Sequence, residues 1–218
     1  MPANNHLIEE IRYFIQNEPL PGDAAHLKMC MTRRSVGDWK SLQPTAKTKI
    51  CAVTVLLLEQ GSDLVLPLIQ RPVYAGVHSG QISFPGGKKD PEDPTLLYTA
   101  LRELYEEIGV KADAEHVLGA LTDIYIPPSD SLVTPYLVYI PQKITYQPDE
   151  REVVSVIDFK LRDFWKPEAY KTRPTIHPDK TEWITPYYSL QDKEIWGATS
   201  MIISELKEII SHKRPQGF

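Results

Sequence analysis

Glu103, Glu106 and Glu107 lie within one and a half helical turns of each other in the run Arg102-Glu103-Leu104-Tyr105-Glu106-Glu107-Ile108-Gly109-Val110. At about 100° per residue the three acids fall in a wedge of roughly 100°, well away from the roughly 60° wedge holding Leu97, Leu101, Leu104 and Ile108. One face is therefore set for burial and another presents carboxylates together. The like-charge pair Glu103–Glu107 works against the helix by about 0.2–0.5 kcal/mol, and Glu103–Glu106 adds a similar amount. Arg102 can pair with Glu106 but cannot neutralise three acids. Hard oxygen donors at this density suit Mg²⁺ or Mn²⁺. A charge run is ordinarily only a solvated face, so the flanks decide. The full string has a chance probability on the order of 10⁻⁵ in a chain of this length, and it follows Gly86-Gly87-Lys88-Lys89-Asp90.

Other residue types offer less. Arg71 stands at a strand end facing the glycine loop, where a guanidinium can hold a phosphate bidentately. His78, between Gly76 and Gly80, could contact a phosphate. Lys88 and Lys89 could steer anions, although such lysines are commonly just solvated. The glycine loop is no Walker A sequence, because Ile82 stands five residues before Gly87 and neither Ser nor Thr follows Lys88. Gly76 to Gly80 has His78, not serine, at its centre, so it is no nucleophile elbow. The dispersed histidines form no H-E-x-x-H, and the aromatic residues form no stacking platform for single strands.

The elements that must position these residues follow from periodicity. Asn4 to Asn17 reads as an amphipathic helix with Asn5 as its cap and Pro19 and Pro21 beyond its end. Residues 22 to 47 read as polar and irregular. Ile50 to Leu58 has the texture of a strand buried on both faces, followed by strands at Leu64 to Gln70, where Pro67 restricts pairing, and at Gln81 to Phe84. Thr95 to Ile108 is a helix closed by Gly109. Strands follow at Val117 to Ile126, Leu132 to Ile140 and Val153 to Phe159, and a hairpin through Pro186 to Trp196 turns at Gln191-Asp192. Thr199 to His212 is the last helix. Strands mixed with a few helices indicate an α/β or α+β layer fold with a mixed sheet.

Residues 86 to 110 resemble the Nudix box, the strand–loop–helix signature of hydrolases that cleave nucleoside diphosphates linked to another moiety. The resemblance implies an α/β/α sandwich with a central mixed β-sheet and water attack on a pyrophosphate phosphorus. It implies Mg²⁺ (or Mn²⁺) held by Glu103, Glu107 and Glu106 with the carbonyl of Gly87, and Arg102 orienting the glutamates. It also implies an extra catalytic glutamate in a later loop, Glu150, with Glu152 as its competitor. Two positions depart from the pattern. Pro94 stands where the box has a glutamate, and the gap from Gly87 to Arg102 is one residue longer than usual.

A narrower resemblance is to coenzyme A pyrophosphatases. It rests on Leu68-Ile69-Gln70-Arg71, Gly80-Gln81-Ile82-Ser83-Phe84-Pro85-Gly86-Gly87, Val133-Thr134-Pro135, Gln147-Pro148-Asp149-Glu150 and Ile195-Trp196-Gly197-Ala198-Thr199. It implies hydrolysis of coenzyme A or a derivative to 3′,5′-ADP and 4′-phosphopantetheine. The residues expected on the substrate are Arg71, His78, Lys88 and Thr134. Gly76 stands where that motif has arginine. Two alternatives are carried. One is the same chemistry on ADP-ribose, a nucleotide sugar or a nucleoside triphosphate, and the other is a module that senses a nucleotide without cleaving it. Three clustered acids speak against the sensor.

The chain has 218 residues with 42% hydrophobic and 24% charged content, which argues for a globular protein and against disorder. A formal net charge of −5 argues against a nucleic-acid-binding protein, which needs a basic face, but not against a small nucleotide substrate. The apolar run Ile50 to Leu58 is about half of what spans a bilayer, and Glu9, Glu10 and Arg12 spoil a signal peptide. Two cysteines, Cys30 and Cys51, with no C-x-x-C, fit a reducing cytoplasm. The expected organisation is an N-terminal helix and irregular extension over 1–45, then a Nudix hydrolase domain over 46–218. The N-terminal helix, which reads as exposed, would support a homodimer.

Overall fold

The structure is a computed structural model that describes residues 4–33, 43–75, 78–176 and 180–213. The chain runs through α1 (Asn5–Asn17), α2 (Gly22–His26), β1 (Thr32–Arg33), β2 (Lys49–Gln60), β3 (Asp63–Gln70), β4 (Ile82–Ser83) and β5 (Gly86–Lys88). It continues with α3 (Leu96–Ile108), β6 (Val117–Ala120), β7 (Ile124–Ile126), β8 (Ser131–Ile140) and β9 (Ser155–Lys160). It ends with β10 (Tyr170–Ile176), β11 (Glu182–Leu190), β12 (Lys193–Trp196) and α4 (Gly197–Lys213).

β2 is the axis of a mixed sheet. It pairs parallel with β8, Lys49 to Leu58 against Ser131 to Ile140. Its other edge is shared: β3 turns back antiparallel beside Leu58 to Gln60, and β5 lies antiparallel to Cys51 to Val53. β4 and β9 pair with β3, while β6 and β7 pair with β8. Successive side chains of a strand point to opposite faces, and β2 is apolar on both, as its unbroken hydrophobic run requires. Leu56 and Leu58 pack with Leu104 and Ile108 of α3, together with Val138 and Ile140 of β8. Val55 and Leu57 pack on the opposite face in a core that includes Leu7, Ile11 and Phe14 of α1 and Ile202, Ile203 and Leu206 of α4. The result is the expected α/β/α sandwich. β1, β10, β11 and β12 form a separate antiparallel sheet, and its hairpin turns at Gln191 and Asp192, both at positive φ (50° and 57°).

Several elements differ from the sequence reading. The cap of α1 is Asn4 rather than Asn5, and its side chain bonds to Glu59 of β2 instead of capping the helix. The apolar face of α1 is covered within the chain, by β6 and α4. Residues 22–29 are not irregular, since α2 is followed by a 3-10 turn at Leu27–Met29. The single strand expected over Val117 to Ile126 is two, because Thr122 turns its N–H and hydroxyl to Glu205 of α4 (3.2 and 2.6 Å) instead of extending the ladder. β10 carried no periodic signal because it is largely exposed.

Candidate active site

α3 is capped at both ends by local means. The Thr95 hydroxyl accepts the Tyr98 N–H at 3.1 Å, and Gly109 adopts the left-handed conformation, φ 71°, that glycine takes without penalty. The helix lies over the glycine loop so closely that a Cβ on Gly87 would come within 2.4 Å of the Glu103 carboxylate. A Cβ on Gly86 would strike the backbone of Ala52 and Val53 at 2.4 and 2.6 Å. The second glycine thus leaves room for the carboxylate, and the first lets the loop close onto β2.

Glu107 is only 1% exposed. Its Oε2 accepts the Gly86 N–H at 2.7 Å, and Arg71 Nη2 stands 3.3 Å from its Oε1. Burial pushes its carboxyl up to about 7; Arg71 and the Gly86 N–H pull the other way, while the charges of Glu103 and Glu152 add to the rise. Burial likewise raises Glu103, opposed by Arg102 and assisted by Glu106 and Glu152. Arg102 gathers the rest. It donates to Glu103 at 3.0 Å, to Glu106 at 2.7 Å and to the Lys88 carbonyl at 3.3 Å.

Asp93 is the member of this group to which the sequence reading gives no role. Its carboxylate takes Arg102 Nε and Nη2 at 3.1 and 2.9 Å, the Thr99 hydroxyl at 2.9 Å and the Asp90 N–H at 3.0 Å. These contacts, the Arg102 bond first, hold the Asp93 carboxyl well below the usual carboxylate range. The longer loop with Pro94 is therefore pinned to α3 by its neighbour. The signal available was an acid six residues before a helical threonine and nine before the arginine, and nothing local distinguishes it from Asp90 or Glu92.

The sequence-named residues sort into those the fold gathers and those it does not. Arg71, Gly87, Lys88, Arg102, Glu103, Glu106 and Glu107 come together. The Arg71 guanidinium is bound within the loop, to the Gly86 carbonyl at 3.0 Å and the Ser83 hydroxyl at 3.1 Å. Thr134 lies two strands over: it is in register with Ala52, which is in register with Gly87. Its hydroxyl donates to Asp123 at 2.6 Å. His78 is bound to Gln81 (3.0 Å) in the loop after β3, and among the described residues no hydrogen bond or ion pair joins it to the carboxylates. Glu150 and Glu152 are both exposed, and of the two it is Glu152 whose charge bears on Glu103 and Glu107. Gly76 lies outside the described residues.

The donor set fits a hard divalent cation. Burial and acidic neighbours raise the carboxyl pKa values of Glu103 and Glu107, and Gly87 leaves room for the Glu103 carboxylate. Asp113, Glu115 and His116 also converge, within 4.8 Å. Asp113 and His116 are engaged in capping a 3-10 turn at Ala114–His116.

A protein-family model described as NUDIX domain matches residues 48–191. The chain belongs to the Nudix family. A Nudix hydrolase NudL from Yersinia enterocolitica is 34% identical over 146 residues, covering 67% of this chain and 74% of that protein. The namesake from Yersinia pestis is 33% identical over 167 residues, 77% of this chain and 82% of its own. Among solved structures, a MutT/Nudix family protein from Enterococcus faecalis superposes with TM-score 0.55 at 19% identity, over 94% of this chain and 74% of that one. The fold expected from the sequence is thereby shown. So is the enzyme class, a Nudix hydrolase acting on pyrophosphates. Among the described residues, no helix is long and apolar enough to cross a membrane.

Proposed function

We propose that this Nudix enzyme hydrolyses the pyrophosphate of coenzyme A or a derivative, giving 3′,5′-ADP and 4′-phosphopantetheine, with Mg²⁺ or Mn²⁺ as cofactor. The observation that carries the reading is the bonding of Arg71 to Ser83, Gly86 and Glu107. It joins the stretch that resembles coenzyme A pyrophosphatases, Leu68 to Gly87, directly to the box glutamates.

Glu103, Glu107 and Glu106, with the Gly87 carbonyl, would hold the cation. A divalent ion at such a site neutralises phosphoryl charge and lowers the pKa of a coordinated water. The chain's own residues do the rest. Arg102, fixed by Asp93, orients Glu103 and Glu106, and the Gly86 N–H and Arg71 orient Glu107. Glu152, whose charge bears on both Glu103 and Glu107, is the extra glutamate in this proposal, in preference to Glu150. Residues 1–45 are proposed as an extension preceding the catalytic domain in sequence, although α1 shares its core.

A turnover screen of coenzyme A, ADP-ribose, nucleotide sugars and nucleoside triphosphates with Mg²⁺, read by product mass, tests the substrate. Release of 3′,5′-ADP from coenzyme A is the expected result. At least about tenfold higher kcat/KM on ADP-ribose or a triphosphate would overturn the coenzyme A reading, since such a ratio is what transition-state discrimination between substrates means.

A further inference from the structure

We propose that Asp123 is a specificity-determining residue that accepts a hydrogen bond from an uncharged donor of the substrate beside its pyrophosphate, and that the buried Glu205–His26 pair positions it.

The placement comes from strand register. Gly87, Ala52 and Thr134 lie side by side on β5, β2 and β8. Residues in register on neighbouring strands share a face, and two strand spacings are about 10 Å. Gly87 faces the Glu103 carboxylate, so Thr134 faces the same side of the sheet, within the reach of a group attached to a pyrophosphate held at the glutamates. The Thr134 hydroxyl is given to Asp123 Oδ1 at 2.6 Å, and Asp123 itself is exposed. An ionised carboxylate only accepts hydrogen bonds. It therefore takes a hydroxyl or an N–H and repels a phosphate placed against it.

What holds Asp123 lies beneath. Its chain neighbour Thr122 donates both N–H and hydroxyl to Glu205. Glu205 is 0% exposed and also receives the Gly22 N–H at 3.3 Å and faces His26 Nε2 at 2.9 Å, a histidine 1% exposed. A buried carboxylate is costly unless fully bonded, and when fully bonded it is rigid. It joins three parts of the chain far apart in sequence: α2, α4 and the break between β6 and β7. That break is where Asp123 is aimed.

This inference rests on the pyrophosphohydrolase reading. Two parts of such substrates carry uncharged donors beside the phosphates, a sugar through its hydroxyls and a pantetheine arm through its hydroxyl and amide N–H groups. Steady-state kinetics on coenzyme A and ADP-ribose, and on whichever pyrophosphate the wild type turns over best, separate the two sources. Losing a hydrogen bond to a charged group should raise KM about ten- to a hundredfold in Asp123→Ala, with kcat within about twofold of wild type. Asp123→Asn, which retains an acceptor, should recover part of that loss. A rise confined to coenzyme A assigns the pantetheine arm, and one confined to ADP-ribose assigns the sugar. Glu205→Gln should raise KM in the wild type yet add nothing in the Asp123→Ala background, because residues acting through one contact are not additive. Thr122→Ala, a milder change to the same bond, serves if Glu205→Gln does not fold. Unchanged KM in Asp123→Ala on every substrate turned over overturns the inference alone. Additive effects, or a fall in Tm without a change in KM, overturn the positioning role. Absence of turnover on every pyrophosphate defeats the functional reading and this inference with it.

Discussion

Glu107 is not an acid on a solvated face. It is buried beneath a backbone N–H and a guanidinium, with its carboxyl pushed up by burial and its acidic neighbours. Glu103→Gln and Glu107→Gln keep shape and remove charge, so each should lower kcat at least about a hundredfold while circular dichroism stays that of the wild type. Near-wild-type turnover in both would remove the site from consideration. Cation binding to the folded state raises stability by mass action. Millimolar Mg²⁺ or Mn²⁺ should therefore raise the wild-type Tm by differential scanning fluorimetry, and raise that of Glu107→Gln much less.

At the scale of elements, the end of α3 does double service. Gly109 stops the helix, and the last carbonyls of the helix, on Ile108 and Glu107, accept the N–H groups of Gln147 and Asp149 at 2.9 and 3.0 Å. The loop that carries Glu152 is thus seated on the end of the glutamate helix. Gly109→Ala would put an L side chain at φ 71° with its Cβ 2.7 Å from Gln147 Cβ. The expected loss is roughly 1–3 kcal/mol in urea unfolding, with a fall in kcat because the Gln147 to Glu152 loop must shift. Unaltered kcat alongside a clear loss of stability would show that this loop matters to the fold and not to the reaction.

For the whole molecule, the N-terminal segment is structural. Ile11 is 1% exposed in the core shared with α4, so Ile11→Ala should lower stability by about 2–5 kcal/mol, read by urea unfolding. The Glu205 pair adds a pH dependence. Burial pulls the Glu205 carboxyl upward, but His26 and Thr122 together outweigh it and hold it below its ordinary value. The unfolded glutamate titrates near 4.3. Just below that pH the unfolded state binds more protons than the folded one, so stability rises with pH there. The contribution is complete above about 4.3 and lost as pH falls through the lower folded value. Tm measured across pH 3 to 6 should show this acid-side slope reduced in Glu205→Gln; equal slopes in the two proteins would refute the assignment.

The sequence by itself determined the glutamate helix, its Gly109 end, the glycine pair before it and the alternation of strands and helices that makes the layered fold. All of these are local: a 3.6-residue period, a helix-ending glycine and β-branched runs are legible within a few residues of themselves. Only the tertiary structure decided that Asp93 holds Arg102, that Glu152 acts on the buried glutamates, and that Asp123 faces the same side of the sheet as Gly87. It alone paired His26 with Glu205, 179 residues away, and Thr122 with Glu205, 83 residues away. A carboxylate's role there depends on which distant donors the folded chain brings within bonding distance. Spacing along the chain carries no record of that, because the register of β2 with β8 and the packing of α4 set it through space.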